Sequence, residues 1–297
     1  MDSSINSEDL RARVLQAVAT LPLHNRPDAA AFGEWLAMLP QPVRGAVDEL
    51  EYTATLTADL QRLTLRAAAS PAMLTLRTAR YLGAAAAPDD EVEQFALMSE
   101  RMAPALLGPW LEVSPLGVDG GWQVPVELNL SIAAEFAPPS EALTALLAWA
   151  DTCGVQHCTG LKRAVGAAAP YTEMVVPLPQ GDALHQMTAF LLAAETMGAP
   201  TPPESVRRAI MRQVQGPMAL SVWLLGEGLG KLGIMLPFPD AELVESLLPT
   251  GTDRAALLKF QNALQSSGPA AVEWQYVADG PTVELHYAVL PTLDAPN

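Results

Sequence analysis

The feature of this sequence that most constrains the fold is a pair of short segments, repeated along the chain, in which apolar and polar residues alternate. Alternation with a period of two is typical of a β-strand with one buried face. One pair lies in Ser221–Pro239, SVWLLGEGLGKLGIMLPFP, where glycines occur at every second position and Leu232, Ile234 and Leu236 follow. Because glycine adopts the positive φ angles that tight turns need, we predict a β-hairpin with these glycines in its turn.

A phosphate-binding loop is the alternative interpretation of these glycines and the lysine after them. A Walker loop requires a glycine five residues before its Gly-Lys pair and a Ser or Thr after the lysine, but Leu225 and Leu232 occupy these positions. A dinucleotide-binding loop requires a helix to begin at the last glycine, whereas a strand pattern follows Gly230. The hairpin is therefore the favoured interpretation, and Lys231 is the one phosphate contact that this stretch offers.

Four other segments show the same alternation around turn residues. Turns are expected at Asp119-Gly120-Gly121, near Gly166 and at Asp279-Gly280-Pro281. The four predicted hairpins cover residues 49–69, 110–132, 155–179 and 272–291.

Helical segments separate the hairpins and carry recognisable start and stop signals. A short polar side chain accepts the unpaired N–H bonds of a first turn, and glycine commonly follows a last turn. Two helices, 8–21 and 27–39, form an N-terminal segment over residues 7–39 before the first hairpin. The predicted starts are Asp90 with Glu93, Ser140, Asp182, Asp240 and Thr252, and the predicted stops are Gly154 and Gly198.

The order of elements predicts the fold class. Helices and hairpins alternate five times at a period of roughly 45 to 60 residues. A propeller or sandwich lacks the intervening helices, and a parallel α/β fold carries single strands between helices. Ten antiparallel strands that close into a barrel inside a ring of helices leave no exposed sheet edge. We predict an α+β fold in which residues 1–297 form one such barrel domain.

Composition restricts the partners and the compartment. The formal net charge is −16 with 17 Lys and Arg, which disfavours nucleic acid and anionic membranes as partners. The sequence shows no signal-peptide pattern and no apolar run of membrane-spanning length, so we expect a cytoplasmic protein. The spacing of Cys153, His157 and Cys158 matches no common zinc motif, so buried free thiols are favoured over a metal site. The oligomeric state is left open.

The five-fold α-β-β-α order over nearly the whole chain resembles the soluble aromatic prenyltransferases, the ABBA or PT-barrel family. The segment KLGIML, Lys231–Leu236, is similar to the Lys-Leu-Gly strands of that family. The resemblance implies a transferase of secondary metabolism that moves a prenyl group from an isoprenoid diphosphate to an aromatic or peptide acceptor. It implies no certain cofactor, although magnesium can accompany a diphosphate.

The resemblance also implies roles for residues that alternation places toward the lumen. Basic side chains hold the diphosphate, and aromatic rings shield the allylic cation. The basic candidates are Arg62, Arg66, Lys162, Arg163 and Lys231. The aromatic candidates are Tyr171, Trp223, Trp274 and Tyr276, while alternation adds Ser221, Glu273 and Gln275 to the lumen face.

Three carboxylates stand where the family usually has Lys or Arg. Glu127 precedes Asn129, Glu173 precedes Val175, and Glu284 precedes His286. Carboxylates in a shared lumen oppose diphosphate binding unless magnesium or arginine offsets them. Glu284 and His286 point the same way on a strand, so they are either a general acid–base pair or a structural hydrogen-bonded pair. Glu127, Glu284 and His286 are the catalytic candidates of a second hypothesis, an acid–base cyclase or isomerase of the same fold. A non-catalytic binding barrel is the third.

Overall fold

The computed structural model describes residues 7–21, 51–60, 63–68, 89–101, 108–114, 117–124, 127–165, 170–214 and 216–289. Within these residues no helix is both long and apolar enough to cross a membrane. The helices are α1 Ser7–Thr20, α2 Asp89–Arg101, α3 Leu130–Ala134, α4 Glu141–Cys153, α5 Ala183–Thr196, α6 Glu204–Gln213, α7 Ala241–Leu247 and α8 Arg254–Ala263.

The strands form one large antiparallel sheet and one small pair. The strands are β1 Glu51–Thr57, β2 Leu63–Ala68, β3 Gly108–Ser114, β4 Gly117–Val124, β5 Leu128–Asn129, β6 His157–Cys158, β7 Gly160–Val165, β8 Tyr171–Pro177, β9 Ala219–Leu225, β10 Gly228–Pro237, β11 Ala271–Val277 and β12 Gly280–Val289. The ten-stranded sheet has the order β2-β1-β12-β11-β10-β9-β8-β7-β4-β3, and β5 pairs with β6 separately. The end strands β2 and β3 also lie beside each other. The sheet therefore curls until its ends meet, as the repeated hairpins predict.

The two faces of this sheet differ in character. Leu220, Val222 and Leu224 on β9 are fully buried and belong to the main hydrophobic core, together with the apolar residues of the helices. The alternate residues of the same strands point to the opposite face, which is the lumen. Leucine-rich alternation thus attaches each hairpin to the helix layer and leaves its other face to line the barrel.

The fourth hairpin confirms the prediction for the glycine-rich stretch, with one addition. Strands β9 and β10 pair antiparallel, and Gly228 has a φ of 144°. The register shifts between Leu229 and Lys231, so that Leu229 lies opposite Leu224 but Lys231 lies opposite Trp223. The irregularity at Gly230 is what brings Lys231 to the lumen face, because an uninterrupted register pairs it with Val222 instead.

The second hairpin differs from its prediction. Ser114 of β3 pairs with Gly117 of β4, so the strands of this hairpin meet before the predicted turn, and Gly120 and Gly121 are paired within β4. Strand pairing with β3 and β7 on both sides overrides the local turn preference of Asp-Gly-Gly. Consequently Glu127 and Asn129 lie beyond the end of β4 and outside the barrel sheet.

The helix signals are largely confirmed. The side chains of Ser140, Asp182 and Asp240 accept hydrogen bonds from backbone N–H groups of the first turns of α4, α5 and α7. Gly154 and Gly198 follow α4 and α5 with φ of 69° and 67°. Asp253 rather than Thr252 caps α8, and Asp90 lies inside α2. Helices α3 and α6 were not predicted, and the predicted helix 27–39 lies outside the described residues.

Candidate functional site

Five polar or aromatic residues form a row across the lumen face of neighbouring strands. Strand pairing places Gln123 opposite Lys162, Lys162 opposite Glu173, Glu173 opposite Trp223, and Trp223 opposite Lys231. Directly opposed residues of antiparallel strands project from the same face. The register alone therefore brings residues from 123 to 231 into one part of the lumen.

Lys231, at one end of this row, lies between two carboxylates. Its Nζ lies 2.9 Å from Glu173 Oε1 and 3.1 Å from Glu273 Oε1. Glu173 also accepts a hydrogen bond from Ser221 Oγ at 3.0 Å, and its Oε2 lies 3.4 Å from Lys162 Nζ. Lys231 is almost completely buried, whereas the Lys162 and Glu173 side chains each keep 13% of their surface exposed. Glu173 thus contacts two ammonium groups, that of Lys231, which is fully enclosed, and that of Lys162, which solvent reaches.

These contacts determine the ionisation of the group. Burial raises the pKa of Glu173, but the charges of Lys231 and Lys162 outweigh it and leave that pKa well below its usual range. Burial lowers the pKa of Lys231, but Glu173, Glu273 and Glu284 together raise it above its usual value. Burial likewise raises the pKa of Glu273, and Lys231 and His286 bring it below the ordinary value. Lys231, Glu173 and Glu273 are therefore all charged near neutral pH.

An aromatic pair lies beside the lysines. The rings of Tyr171 and Trp223 are stacked with centroids 4.3 Å apart and planes 13° from parallel. Lys231 Nζ is 4.6 Å from the centroid of Trp223, and Lys162 Nζ is 5.6 Å from that of Tyr171. With Ala164 and Leu225, the pair forms a small apolar cluster separate from the main core. Aromatic faces attract cations, so this wall of the lumen suits positive charge or a stacked aromatic ring.

A second polar group continues around the barrel on β11, β12 and β1. Glu273 lies opposite Glu284, and Thr55 lies opposite His286. His286 Nε2 is 3.5 Å from Glu273 Oε2, and its Nδ1 is 3.0 Å from Thr55 Oγ1. Glu284 and His286 thus share the lumen face, as alternation predicted, together with Glu273.

Gly233 makes room for the junction of the two groups. A Cβ atom at this position would lie 2.1 Å from Glu273 Oε1 and 3.1 Å from Gln275 Cβ. The glycine lies between Lys231 and Met235 on the lumen face of β10, directly opposite Gln275. Glu273 therefore reaches Lys231 through space that a side chain at position 233 would occupy.

Three residues predicted to reach the lumen point to the opposite face. Arg163 Nε donates to Glu91 Oε1 of α2 at 3.0 Å, and its NH1 donates to Thr172 Oγ1 at 2.9 Å. Trp274 and Tyr276 alternate with the lumen residues of β11 and lie opposite Ile234 and Leu232 of the core face. Neighbours in a strand cannot share a face, so the placement expected for these three was wrong.

The remaining predicted site residues are dispersed. Glu127 is exposed and its Oε1 lies 3.6 Å from His157 Nδ1. Asn129 accepts a hydrogen bond from Ser131 N at 2.9 Å at the start of α3. Arg62 lies outside the described residues. For Arg66 the structure describes the backbone of β2, opposite Thr53, and not the side chain.

Two residues on the lumen face, Gln123 and Thr55, are not among the site residues predicted from the sequence. Gln123 was assigned to no site because the second hairpin was placed too late in the chain. Thr55 belongs to the run Thr53, Thr55 and Thr57, whose period of two is the signal that indicates this face of β1.

Both cysteines are free thiols, and they lie outside the barrel sheet. Burial raises the pKa of Cys158, on β6, to about 11, and burial also raises the pKa of Cys153 at the end of α4. A protonated thiol binds metal poorly and reacts slowly.

Comparison with known sequences finds a curated relative but no matching family model. No protein-family model matches the sequence. Among curated proteins, a PH domain-containing protein of Dictyostelium discoideum is 28% identical over 289 residues. The alignment covers 94% of this chain, which spans 63% of the length of that relative.

Solved structures of aromatic prenyltransferases are similar over nearly the whole chain. AnaPT from Neosartorya fischeri superposes with a TM-score of 0.62 at 12% identity, covering 99% of this chain and 96% of its own. The 6-dimethylallyltryptophan synthase of Micromonospora olivasterospora superposes with a TM-score of 0.61 at 15% identity. The superposition covers 96% of this chain and 98% of the synthase. NotF superposes with a TM-score of 0.64 at 11% identity, and the superposition covers 96% of this chain and 93% of NotF. The chain therefore has the ABBA barrel fold that the resemblance implied.

Proposed function

We propose that this protein is a small-molecule transferase that moves a prenyl group from an isoprenoid diphosphate to an aromatic or peptide side-chain acceptor inside the barrel. The observation that carries the proposal is the pair of lumen lysines, Lys162 and Lys231, beside the stacked rings of Tyr171 and Trp223. Structures of this fold determined with DMASPP and tryptophan, or with product diphosphate, support it.

The two lysines have different tasks in this proposal. Departure of diphosphate from an allylic carbon leaves several negative charges, which fixed cations stabilise in a partly dry site. Lys162 is the accessible one, and its 3.4 Å contact with Glu173 is long enough to yield to a diphosphate oxygen. Lys231 is enclosed and held by shorter contacts, so it contributes a fixed positive potential.

The aromatic pair supplies the other requirement. Loss of diphosphate leaves an allylic cation that water would capture, and the faces of Trp223 and Tyr171 stabilise such a cation while excluding water. An aromatic acceptor stacks on the opposite side of the allylic cation. The side chain of Gln123, on the lumen face beside Lys162, lies at the border of this region.

A second candidate function is favoured by the charge of the lumen. Among the described side chains on this face, the carboxylates of Glu173, Glu273 and Glu284 face the lysines Lys162 and Lys231. Carboxylates that already neutralise the lysines weaken the attraction for a diphosphate. The same barrel then takes a neutral or cationic aromatic ligand, either as an enzyme without a diphosphate substrate or as a binding protein.

Calorimetry on the full chain separates the two candidates. We expect dimethylallyl S-thiolodiphosphate or geranyl diphosphate to bind, with or without magnesium. Lys162→Met should weaken this binding at least about tenfold, the loss of one charge-assisted contact. Lys259→Met is the matched control, because Lys259 is exposed on α8, and it should leave the affinity unchanged.

Each result decides between the proposals. No binding of either diphosphate under both conditions rejects the transferase, and binding of tryptamine without diphosphate binding supports the second candidate. Equal loss of affinity in the Lys162 and Lys259 variants also contradicts the assigned site.

A further inference from the structure

Glu273, Glu284 and His286 form a compact set of metal-ligating side chains on the lumen face of β11 and β12. One ligand atom from each lies within 4.8 Å of the others. Glu273 and Glu284 are both buried, and His286 is mostly enclosed. Among the described residues, these are the three metal-ligating side chains that lie this close together.

The separation of the imidazole and carboxylate suits a shared ion. His286 Nε2 and Glu273 Oε2 are 3.5 Å apart, longer than the roughly 2.9 Å of an ordinary N–H···O hydrogen bond. Two ligand atoms at this separation, each about 2.1 Å from one zinc ion, subtend about 113° at the metal. That angle is close to tetrahedral.

The polar atoms around this set lack the partners that buried groups normally have. Glu273 Oε2 and His286 Nε2 have almost no solvent-accessible surface and no hydrogen bond of normal geometry, and Lys231 approaches the other oxygen, Oε1. Gln275 is 2% exposed, and its Oε1 is likewise unpartnered. Both Glu273 and Gln275 border the space above Gly233. Because unpartnered buried oxygens are costly, a cation coordinated by these atoms would stabilise the set.

Thr55 orients the imidazole for this role. Its Oγ1 lies 3.0 Å from His286 Nδ1, and a metal-bound histidine usually donates its other N–H to an oxygen. With the proton on Nδ1, the lone pair of Nε2 points toward Glu273. In this tautomer Nε2 and Glu273 Oε2 both offer lone pairs, and a metal ion between them would be bound by both.

We propose that Glu273, Glu284 and His286 form a binding site for a divalent first-row transition metal, with Zn²⁺ as the representative ion. Imidazole and carboxylate donors suit zinc, cobalt and manganese. Magnesium prefers oxygen ligands and usually keeps several of its waters, whereas this set includes an imidazole nitrogen. The site adjoins Lys231, whose Nζ contacts the other oxygen of Glu273 at 3.1 Å, and its metal binds without any prenyl substrate.

Metal titration of the full chain tests this site. After EDTA treatment and dialysis, calorimetry with ZnCl₂ should show one ion bound per chain, while MgCl₂ gives no comparable heat. CoCl₂ should produce the visible absorption of a tetrahedral cobalt complex. Glu284→Gln and His286→Gln should each weaken Zn²⁺ binding at least about tenfold, and circular dichroism checks that both variants remain folded.

An exposed pair of the same chemistry provides the control. Glu127 and His157 lie at a nearly identical distance, 3.6 Å, but on the surface, so Glu127→Gln should leave Zn²⁺ affinity unchanged. Absence of Zn²⁺ binding overturns the proposal, as does an affinity that falls in Glu127→Gln but not in Glu284→Gln. Should His286→Gln fail to fold, Glu284→Gln alone decides. Because no diphosphate is present, the result is independent of the transferase assay.

Discussion

At the scale of single residues, Gly233 is the position where a methyl group has the clearest consequence. An added Cβ would overlap Glu273 Oε1, which is fixed by Lys231. Gly233→Ala should therefore lower the free energy of unfolding by about 1–3 kcal/mol, the usual effect of overpacking. Urea unfolding measures this change.

The same hairpin contains its control. A Cβ at Gly226 meets no atom within 4 Å, and this glycine does not have a positive φ. Gly226→Ala should leave stability nearly unchanged. Equal effects of the two substitutions would show that the space above Gly233 is not occupied as described.

The thiol of Cys158 gives a prediction for alkaline pH. Burial raises its pKa from 9.0 to about 11. Between these values the unfolded chain loses the thiol proton while the folded protein keeps it, so stability falls as pH rises. The free energy of unfolding falls by about 2–3 kcal/mol between these two pKa values. The variant Cys158→Ala should lose less stability than the parent between about pH 9 and pH 11, and a parallel pH profile would contradict this.

Residue-level prediction from the sequence succeeded where alternation was unambiguous. Glu273, Gln275, Glu284 and His286 face the lumen as expected. It failed for Arg163, because the partner that makes a charge tolerable on the core face is Glu91, 72 positions away. A local pattern contains no information about such a partner.

At the scale of elements, the Arg163–Glu91 ion pair fastens α2 to β7. Arg163 and Glu91 are both more than nine-tenths buried. Removing one partner leaves an uncompensated buried charge, which typically costs about 3–5 kcal/mol. Glu91→Gln should therefore lower the free energy of unfolding by an amount of this order in denaturant titration.

An exposed ion pair of the same residue types serves as the comparison. Arg208 and Glu204, four positions apart on α6, are more than half exposed. Glu204→Gln should lower the free energy of unfolding by no more than about 0.5 kcal/mol. A similar loss in both variants would mean that burial does not control the contribution of the Arg163 pair.

Hairpin boundaries were the part of the element assignment that sequence could not supply. Asp119-Gly120-Gly121 is a strong local turn signal, yet these residues are paired with β3 throughout. Propensity is a weak preference that pairing on two sides outweighs. The register irregularity at Gly230, which sets the direction of Lys231, is equally a property of the pairing with β9.

At the scale of the whole molecule, repetition made the fold predictable. Five hairpins between helices left few ways to bury one face of each strand and pair every edge, and the observed strand order agrees. The contents of the lumen were less predictable. The contacts of Lys231 with Glu173 and Glu273 join residues from three different hairpins, so their neutralisation depends on the pairing between neighbouring hairpins.

These contacts lead to a prediction about cooperation across the barrel. Lys231→Met leaves Glu173 and Glu273 facing each other without the ammonium group between them. We expect the free energy of unfolding to fall by about 3–5 kcal/mol at neutral pH in EDTA, because the buried carboxylates then lose the cationic partner that they share. Adding Glu173→Gln removes one of those charges, so the double variant should be more stable than the two single losses predict, with a coupling of about 0.5–3 kcal/mol. Combining Lys231→Met with Glu204→Gln should give additive losses, because Glu204 is exposed on α6 and shares no contact with the lumen. Additivity in both pairs would mean that the lysine and the carboxylates do not act as one charged network.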